Sequence, residues 1–226
     1  GRGVAGVTGD TGIGNGNTKP LTLAGTDYIT NSAIYEAAAG NTIDLTAGAT
    51  TTFTSSNDPI TFETGTVELA NGSNLVVNSN GAGSGNITLV AIKGTSTENV
   101  TLNAGADQVT VGQSGADAAE IKDVTITGGR INLGGAIRTD DGDGAGDVDL
   151  NGAVVLTAAV TIDTSAGEGT VDLSSTLDGA FDFDILSGAG SVVIQGTTGA
   201  TTPLASFDIN QTGGTGTIEV SSIGAG

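Results

Sequence analysis

Short β-branched segments in which apolar and polar residues alternate recur along most of the chain. Examples are Thr42-Ile43-Asp44-Leu45 and Val160-Thr161-Ile162, and such segments are bounded by Gly, Asn, Asp or Ser. An alternation of period two places the apolar side chains on one side of a β-strand, and the flanking residues favour turns. The pattern therefore predicts an all-β chain made of short strands, each with one apolar side.

These predicted strands recur at a nearly regular spacing. Successive steps measure 17 to 26 residues, most of them near 22, in the series Ile43, Val67, Ile87, Val109, Ile131, Val148, Val171, Val192 and Ile218. A repeat of this length is typical of solenoids, in which each coil stacks on its predecessor. We therefore predict a single-stranded parallel β-helix of about ten coils of roughly 22 residues, on the order of 50 Å long.

A longer repeat overlies this spacing. Apolar residues recur 83 residues later, so that Val100, Leu102, Val109 and Val111 correspond to Phe183, Ile185, Val192 and Ile194. We interpret this as an internal repeat of about 84 residues, at roughly 86–169 and partially at 170–226. An antiparallel β-sandwich also spaces its strands regularly but gives no reason for such a repeat.

The glycine distribution suggests a boundary near residue 40. Residues 1–40 begin with a Gly-rich stretch and are predicted to form an amino-terminal arm or cap, and residues 41–226 the solenoid. Because the first residue is Gly1 and the last segment stops within the long repeat, we expect the chain to be a piece of a larger protein or a processed subunit.

Composition and charge narrow the function. The chain has 25 acidic and 6 basic residues, a net charge of −19, and no His, Cys, Met or Trp. The missing residues exclude a serine triad with histidine, thiol chemistry, disulfides and the common zinc sites. The charge disfavours nucleic acid and anionic membranes as partners, and no apolar run approaches the roughly 18 residues of a membrane span.

The densest acidic cluster, residues 140–149, is the candidate metal site. Asp141, Asp143 and Asp147 alternate with Gly in a loop, and Ca²⁺ prefers several oxygen ligands from such a flexible segment. Asp141-x-Asp143-Gly144 is similar to the start of an EF-hand loop, but the later ligands of that pattern are missing. The alternative is a solvated turn between coils, so Ca²⁺ is a possible cofactor and none is required.

Two other patterns suggest functions. In Phe181-Asp182-Phe183-Asp184-Ile185 the Phe residues are predicted to face the core, which places Asp182 and Asp184 about 7 Å apart on the outer side, as in a glycosidase pair. Carboxylates on many other strands favour a solubilising surface instead, and we expect no enzyme. Outward threonines in Thr50-Thr51-Thr52-Phe53-Thr54 suggest an ice-binding array, although acidic residues interrupt it.

Segments such as Thr202-Pro203-Leu204-Ala205-Ser206-Phe207-Asp208-Ile209, together with residues 156–164, resemble the repeats of giant bacterial exoproteins related to filamentous haemagglutinin. The resemblance is clearest over about residues 86–226. It implies a right-handed β-helix, export to the cell surface, and an adhesive or scaffolding role.

We therefore expect a stiff structural segment of an extracellular or bacterial cell-surface fibre. The rod would continue by covalent repeats or by end-to-end self-association, and its possible targets are host or cell-surface glycans. The main alternative is a Ca²⁺-dependent surface-layer or matrix protein. An ice-binding or polysaccharide-active β-helix is a further alternative.

Overall fold

The computed structural model describes residues 7–14, 18–70, 72–79, 85–116, 119–140, 146–211 and 216–224. Within these ranges the chain is a parallel β-solenoid, as the repeat spacing predicts, and it has about eight turns. All strand pairs are parallel and join strands of neighbouring coils. None of the described residues lies in a helix, and so none of them forms a helix long enough to cross a membrane.

The strands are β1 (Val7–Ile13), β2 (Leu21–Leu23), β3 (Asp27–Glu36), β4 (Thr42–Leu45), β5 (Thr51–Thr54), β6 (Ile60–Thr64), β7 (Thr66–Leu69), β8 (Leu75–Asn78), β9 (Ile87–Lys93), β10 (Val100–Asn103), β11 (Gln108–Ser114), β12 (Val124–Leu133), β13 (Ile137–Arg138), β14 (Val148–Leu156), β15 (Val160–Asp163), β16 (Val171–Leu173), β17 (Leu177–Asp178), β18 (Asp182–Gly188), β19 (Val192–Thr198), β20 (Ser206–Gln211) and β21 (Ile218–Ile223).

These strands form three ladders, which we call the first, second and third faces in the order in which the chain visits them from β2 onward. The first face contains β2, β4, β7, the ends of β9 and β11, β13, β15, β18 and β20. The second contains the start of β3, β5, β8, β10, the starts of β12 and β14, β16, and the starts of β19 and β21. The third contains β1, the end of β3, β6, the starts of β9 and β11, the ends of β12 and β14, β17, and the ends of β19 and β21.

The coils are longer and fewer than the sequence spacing predicts. Tyr28 and Val220 stand eight steps apart in one column of the second face, so a coil averages 24 residues rather than 22. The solenoid therefore has about eight turns instead of ten, and its stack is about 40 Å high at the usual strand spacing. The sequence spacing underestimates the length of a coil because the series of apolar residues from Ile43 to Ile218 changes face twice. Val67 pairs with Ile92 rather than with Ile87, and Ile131 pairs with Val154 rather than with Val148.

Residues that correspond to each other in the 83-residue repeat also lie on different faces. Val100 lies on the second face, whereas Phe183, its counterpart, lies on the first. Val109 lies on the third face and its counterpart Val192 on the second. The repeat therefore spans eleven strand positions, which is three and two-thirds coils and not a whole number of coils.

The solenoid strands begin before residue 41. Leu21 pairs with Ile43, and Ala33 pairs with Ile60, so β2 and β3 belong to the same ladders as the strands that follow. The boundary predicted at residue 40 falls in the corner between β3 and β4. Residues 1–6 and 15–17 of the predicted arm lie outside the described part.

Apolar columns fill the interior. One column of the second face consists of fully buried residues in register from coil to coil, namely Leu75, Val100, Val124, Val148, Val171 and Val192. Burial of branched aliphatic side chains in every coil supplies the main favourable free energy of folding, at about 25 cal/mol for each Å² of apolar surface.

A four-ring aromatic cluster replaces these aliphatic columns near the amino-terminal end. Tyr28 stacks on Phe53 with ring centroids 4.9 Å apart, and Tyr35 stacks on Phe62 at 5.1 Å. Tyr35 and Phe53 meet edge to face at 4.9 Å, which joins the two stacks across the interior. Burial raises the pKa of the Tyr35 hydroxyl, so this ring stays neutral in the core.

Candidate functional site

The structure describes one of the three predicted Ca²⁺ ligands. Asp141 and Asp143 lie outside the described residues, whereas Asp147 lies at the corner directly before β14. The backbone N–H of Thr170, one coil further on, donates to Oδ1 of Asp147 at 2.7 Å. The N–H of Asp147 donates in turn to Oδ1 of Asp123 at 3.1 Å. One oxygen of Asp147 is thus already used in joining two coils.

Asp147 belongs to a line of polar residues that we call the corner column. Each member directly precedes a strand of the second face, and the members are Thr50, Asn74, Asn99, Asp123, Asp147, Thr170, Ser191 and Thr217.

Four side chains of the corner column accept a hydrogen bond from the backbone N–H of the next member, one coil further on, namely Asn74, Asp123, Asp147 and Ser191. The N–H of Asn99 donates to Oδ1 of Asn74 at 2.8 Å, and the N–H of Thr217 donates to Oγ of Ser191 at 3.1 Å. These bonds pair backbone N–H groups that point along the rod axis at a corner, where the strand ladders do not reach them. The sequence-predicted metal residue Asp147 therefore has a structural role in the described coils.

Negative charge is concentrated beside this part of the corner column. Asp149 projects outward from β14 and is in register with Asp172 of β16. Burial raises the pKa of Asp149, and the nearby carboxylates of Asp147, Asp172 and Asp123 raise it further. Such a cluster attracts cations from solution. In the parts of the chain that the structure describes, no three acidic side chains are arranged as a metal-binding group.

The second carboxylate pair, Asp182 and Asp184, lies on the outer side of β18 as predicted. Oγ of Ser206 donates to Oδ1 of Asp182 at 2.6 Å, so this carboxylate also joins neighbouring coils. Asp184 is in register with Asp208 and lines an open groove of about 250 Å³ with it. The prediction that both Phe residues face the core is wrong for Phe181, which is 39% exposed, because β18 begins at the next residue.

The predicted threonine array divides between the two sides of β5. Thr51 is buried beside Phe53 in the interior, whereas Thr52 and Thr54 lie on the outer side. The outer column that contains Thr52 continues through Val76, Thr101 and Thr125 to Asp149. The second face therefore has an uncharged stretch that ends at the acidic cluster.

Glu98, which sequence reasoning did not single out, is a fully buried carboxylate at the corner before β10. Its Oε1 accepts hydrogen bonds from Gly72 N–H at 3.0 Å and from the hydroxyls of Thr95 and Thr97, each at 2.7 Å. Its Oε2 accepts from Thr95 N–H at 2.7 Å. Burial acts to raise the pKa of Glu98, but the hydrogen bonds from Thr97, Thr95 and Gly72 outweigh it and lower the pKa below its ordinary value. The hydroxyl-rich segment 95–97 is the sequence signal that could have identified it.

At the carboxyl-terminal end of the described coils, β20 and β21 are the last strands of their faces. A groove of about 290 Å³ lies between the end of β21 and the start of β20, lined by Thr198, Leu204, Phe207 and Ile223 among others. Ile218 is 47% exposed and Ile223 is 69% exposed, although their register partners Val192 and Thr198 are buried. The last described strands therefore have apolar side chains that no described coil covers.

No protein-family profile matches the chain, and no curated protein or solved structure is significantly similar to it. The geometry of the solenoid and its charged faces are therefore the features that bear on function.

Proposed function

We propose that the chain is a structural and adhesive segment of a bacterial cell-surface or secreted fibre, in which the solenoid acts as a stiff rod. The observation that carries this proposal is the unbroken register of the ladders. The first face runs from Leu21 of β2 to Ile209 of β20 with a parallel partner in every coil. Bending such a rod would require hydrogen bonds to break on one face, so it suits a spacer that holds an adhesive end away from the cell.

The resemblance of residues 86–226 to filamentous haemagglutinin-like exoproteins supports the same proposal. It favours a right-handed helix, an extracellular location and export from a bacterial cell. The absence of Cys fits a chain that crosses an envelope unfolded. In this role the rod needs no cofactor and catalyses no reaction, and cell-surface or host glycans are its proposed targets.

A Ca²⁺-dependent surface-layer or matrix protein is the second candidate. The acidic cluster of Asp123, Asp147, Asp149 and Asp172 favours it, because divalent cations bound between rods would remove the repulsion that keeps two such faces apart. In this case lateral contacts, rather than rod ends, would carry the assembly.

Electron microscopy of the parent cell with an antibody against residues 146–211 separates the two candidates. A fibre segment places the label along thin projections that persist when a chelator removes Ca²⁺. A surface-layer protein places the label in a regular two-dimensional array that dissolves in the chelator. Label confined to the cell interior would contradict both proposals.

A further inference from the structure

One part of the third face has no acidic residue, although the chain as a whole has a net charge of −19. Two outward columns cross the coils from β9 to β14 there, with Thr88, Thr110, Asn132 and Val155 in one column and Gln108, Arg130 and Ala153 in the other. We call these seven residues the Arg130 patch, because Arg130 is its charged member.

Hydrogen bonds hold the Arg130 side chain in place on this patch. Its Nε donates to Oδ1 of Asn132 at 2.8 Å, and Nδ2 of Asn132 donates to Oγ1 of Thr110 in the preceding coil at 3.2 Å. Nε2 of Gln108 donates to the same hydroxyl oxygen at 3.2 Å. Asn132 points outward and yet is only 7% exposed. A nearly buried amide therefore orients the guanidinium group.

This arginine is not neutralised by the part of the chain that the structure describes. No acidic side chain of the described residues lies within ion-pair distance of Arg130. Asp107, at the corner one coil earlier, accepts a hydrogen bond from Gly85 N–H at 3.0 Å. Along the column of Asn132, the next acid is Asp178, two coils further on and about 10 Å away. That separation exceeds the screening length of about 8 Å at physiological ionic strength.

The orientation of Arg130 leaves its two Nη nitrogens for a ligand. The side chain is exposed, and its third nitrogen, Nε, already donates to Asn132. Two parallel N–H···O bonds from a guanidinium fork match the geometry of a planar carboxylate. Gln108 and Thr110 place amide and hydroxyl groups beside the fork, and such groups bond the hydroxyls of a sugar.

We propose that the Arg130 patch binds an acidic polysaccharide, with the carboxylate of one hexuronic acid on the Nη fork and adjacent sugar hydroxyls on Gln108 and Thr110. Charge complementarity selects this occupant, because a carboxylate that the acidic faces repel is attracted to this patch. The inference rests on the proposed function, which has glycans as the targets of the rod. It adds the chemical class of the glycan and the place where it binds.

A second copy of this chain fits the patch less well than a polysaccharide does. The copy brings 25 acidic residues fixed on a rod of net charge −19, so a contact at one arginine must overcome repulsion between two whole rods. A short acidic glycan brings few charges and several hydroxyls for each carboxylate. The uncharged hydrogen-bonding groups of the patch suit this ligand.

The test compares tetragalacturonic acid with its methyl ester, which has the same ring hydroxyls and no charge. Binding to the folded chain is measured by isothermal titration calorimetry at low salt. A chelator is present, so that Ca²⁺ cannot join the glycan to the acidic cluster of the second face. We expect the acid to bind about tenfold more tightly than the ester, and its affinity to fall as NaCl is added.

Variants of the chain locate the site. Arg130→Gln should weaken binding of the acid about tenfold and leave binding of the ester unchanged. Arg130→Lys should recover only part of this loss, because an ammonium group keeps the charge but lacks the fork. Arg138→Gln is the matched control, since it removes the same charge on the first face beside Asp163, and it should bind the acid as the unaltered chain does. Circular dichroism checks that each variant is folded.

Equal affinity for the acid and the ester, or no binding of either at millimolar concentration, would overturn the proposal. An equal loss of affinity in Arg138→Gln would overturn it too, as would equally tight binding of a tetraglutamate peptide. Sedimentation showing that the chain dimerises through Arg130 without any glycan would identify a second copy as the partner instead. None of these results changes where the antibody labels the parent cell, so the fibre proposal and this one can fail separately.

Discussion

At the scale of single residues, carboxylates at the corners join neighbouring coils of this solenoid through hydrogen bonds from backbone N–H groups. Glu98 has no exposed surface and no cationic partner within the described part of the chain, yet its two oxygens accept hydrogen bonds from Thr95, Thr97 and Gly72. Bonds to an ionised acceptor contribute more than bonds to a neutral one. The charge is therefore tolerated because the surrounding donors replace the water that it loses.

Glu98→Gln should lower the free energy of unfolding at pH 7 by about 2 kcal/mol or more, because the amide places N–H groups against donors. The lowered pKa gives stability that is present above the ordinary value of 4.5 and is lost as the pH falls through the folded-state pKa. Urea unfolding between pH 3 and 7 measures both effects. The exposed Glu219→Gln is the control, and an equally steep acid dependence in Glu98→Gln would contradict this role.

The corner column gives a prediction that distinguishes a structural Asp147 from a metal ligand. Asp147→Asn keeps an Oδ1 acceptor for Thr170 N–H and should change stability little, whereas Asp147→Ala should cost about 1–2 kcal/mol. Thermal unfolding with Ca²⁺ and with a chelator completes the comparison. A Ca²⁺-induced stabilisation that disappears in Asp147→Asn would show that this carboxylate is a ligand.

At the scale of elements, the spacing between coils is set by glycines that lie against neighbouring backbone. A Cβ added to Gly112 would overlap the carbonyl oxygen of Val90 in the preceding coil. The equivalent position one coil further on, Gly134, would place a Cβ 3.0 Å from Oγ1 of Thr157, a side-chain atom that can rotate away. The two glycines therefore differ in how easily they admit a methyl group, although both directly follow residues of the third face, Val111 and Leu133.

Gly112→Ala should destabilise the chain by about 2–3 kcal/mol, because the ladder between β9 and β11 must separate to admit the methyl group. Gly134→Ala is the matched control and should cost less than half as much. Urea unfolding of both variants gives the comparison. Equal costs would show that conformational preference, not the contact with Val90, explains the effect.

The strand elements could be predicted from alternation, but their arrangement in coils could not. Val67 and Ile87 look like successive members of one column, because every face uses the same apolar-polar-apolar strands. The partner of Val67 is Ile92, and the choice depends on how the long β9 bends from the third face to the first. Likewise, Asp147 is an ordinary acidic residue in sequence. Its role follows from Asp123 and Thr170, which lie one coil away and which local patterns do not identify.

At the scale of the whole molecule, charge is distributed unequally along the rod. Residues 1–138 contain 12 acidic and 6 basic residues, whereas residues 139–226 contain 13 acidic residues and no basic one. The cation that pairs with Glu68 on the first face therefore has no counterpart after Arg138. Repulsion between coils is consequently greatest toward the carboxyl-terminal end, where Asp149 and Asp172 stand in register.

This distribution predicts that salt stabilises the rod. Raising NaCl from 0.01 M to 0.15 M shortens the screening length from about 30 Å to about 8 Å, which weakens repulsion between carboxylates on successive coils. We expect the thermal midpoint to rise by about 3 °C or more, which corresponds to about 1 kcal/mol for a chain of this size.

Asp149→Asn should raise the thermal midpoint at low salt and reduce the dependence of the midpoint on salt. The substitution removes a carboxylate that three acidic neighbours repel, and burial and these neighbours raise the pKa of Asp149. Asp58→Asn, at a corner of the less acidic half, is the control and should retain the full dependence. A midpoint that stays constant or falls with NaCl would mean that the carboxylates do not oppose folding, and that their spacing along the rod is already wide enough for water to screen them.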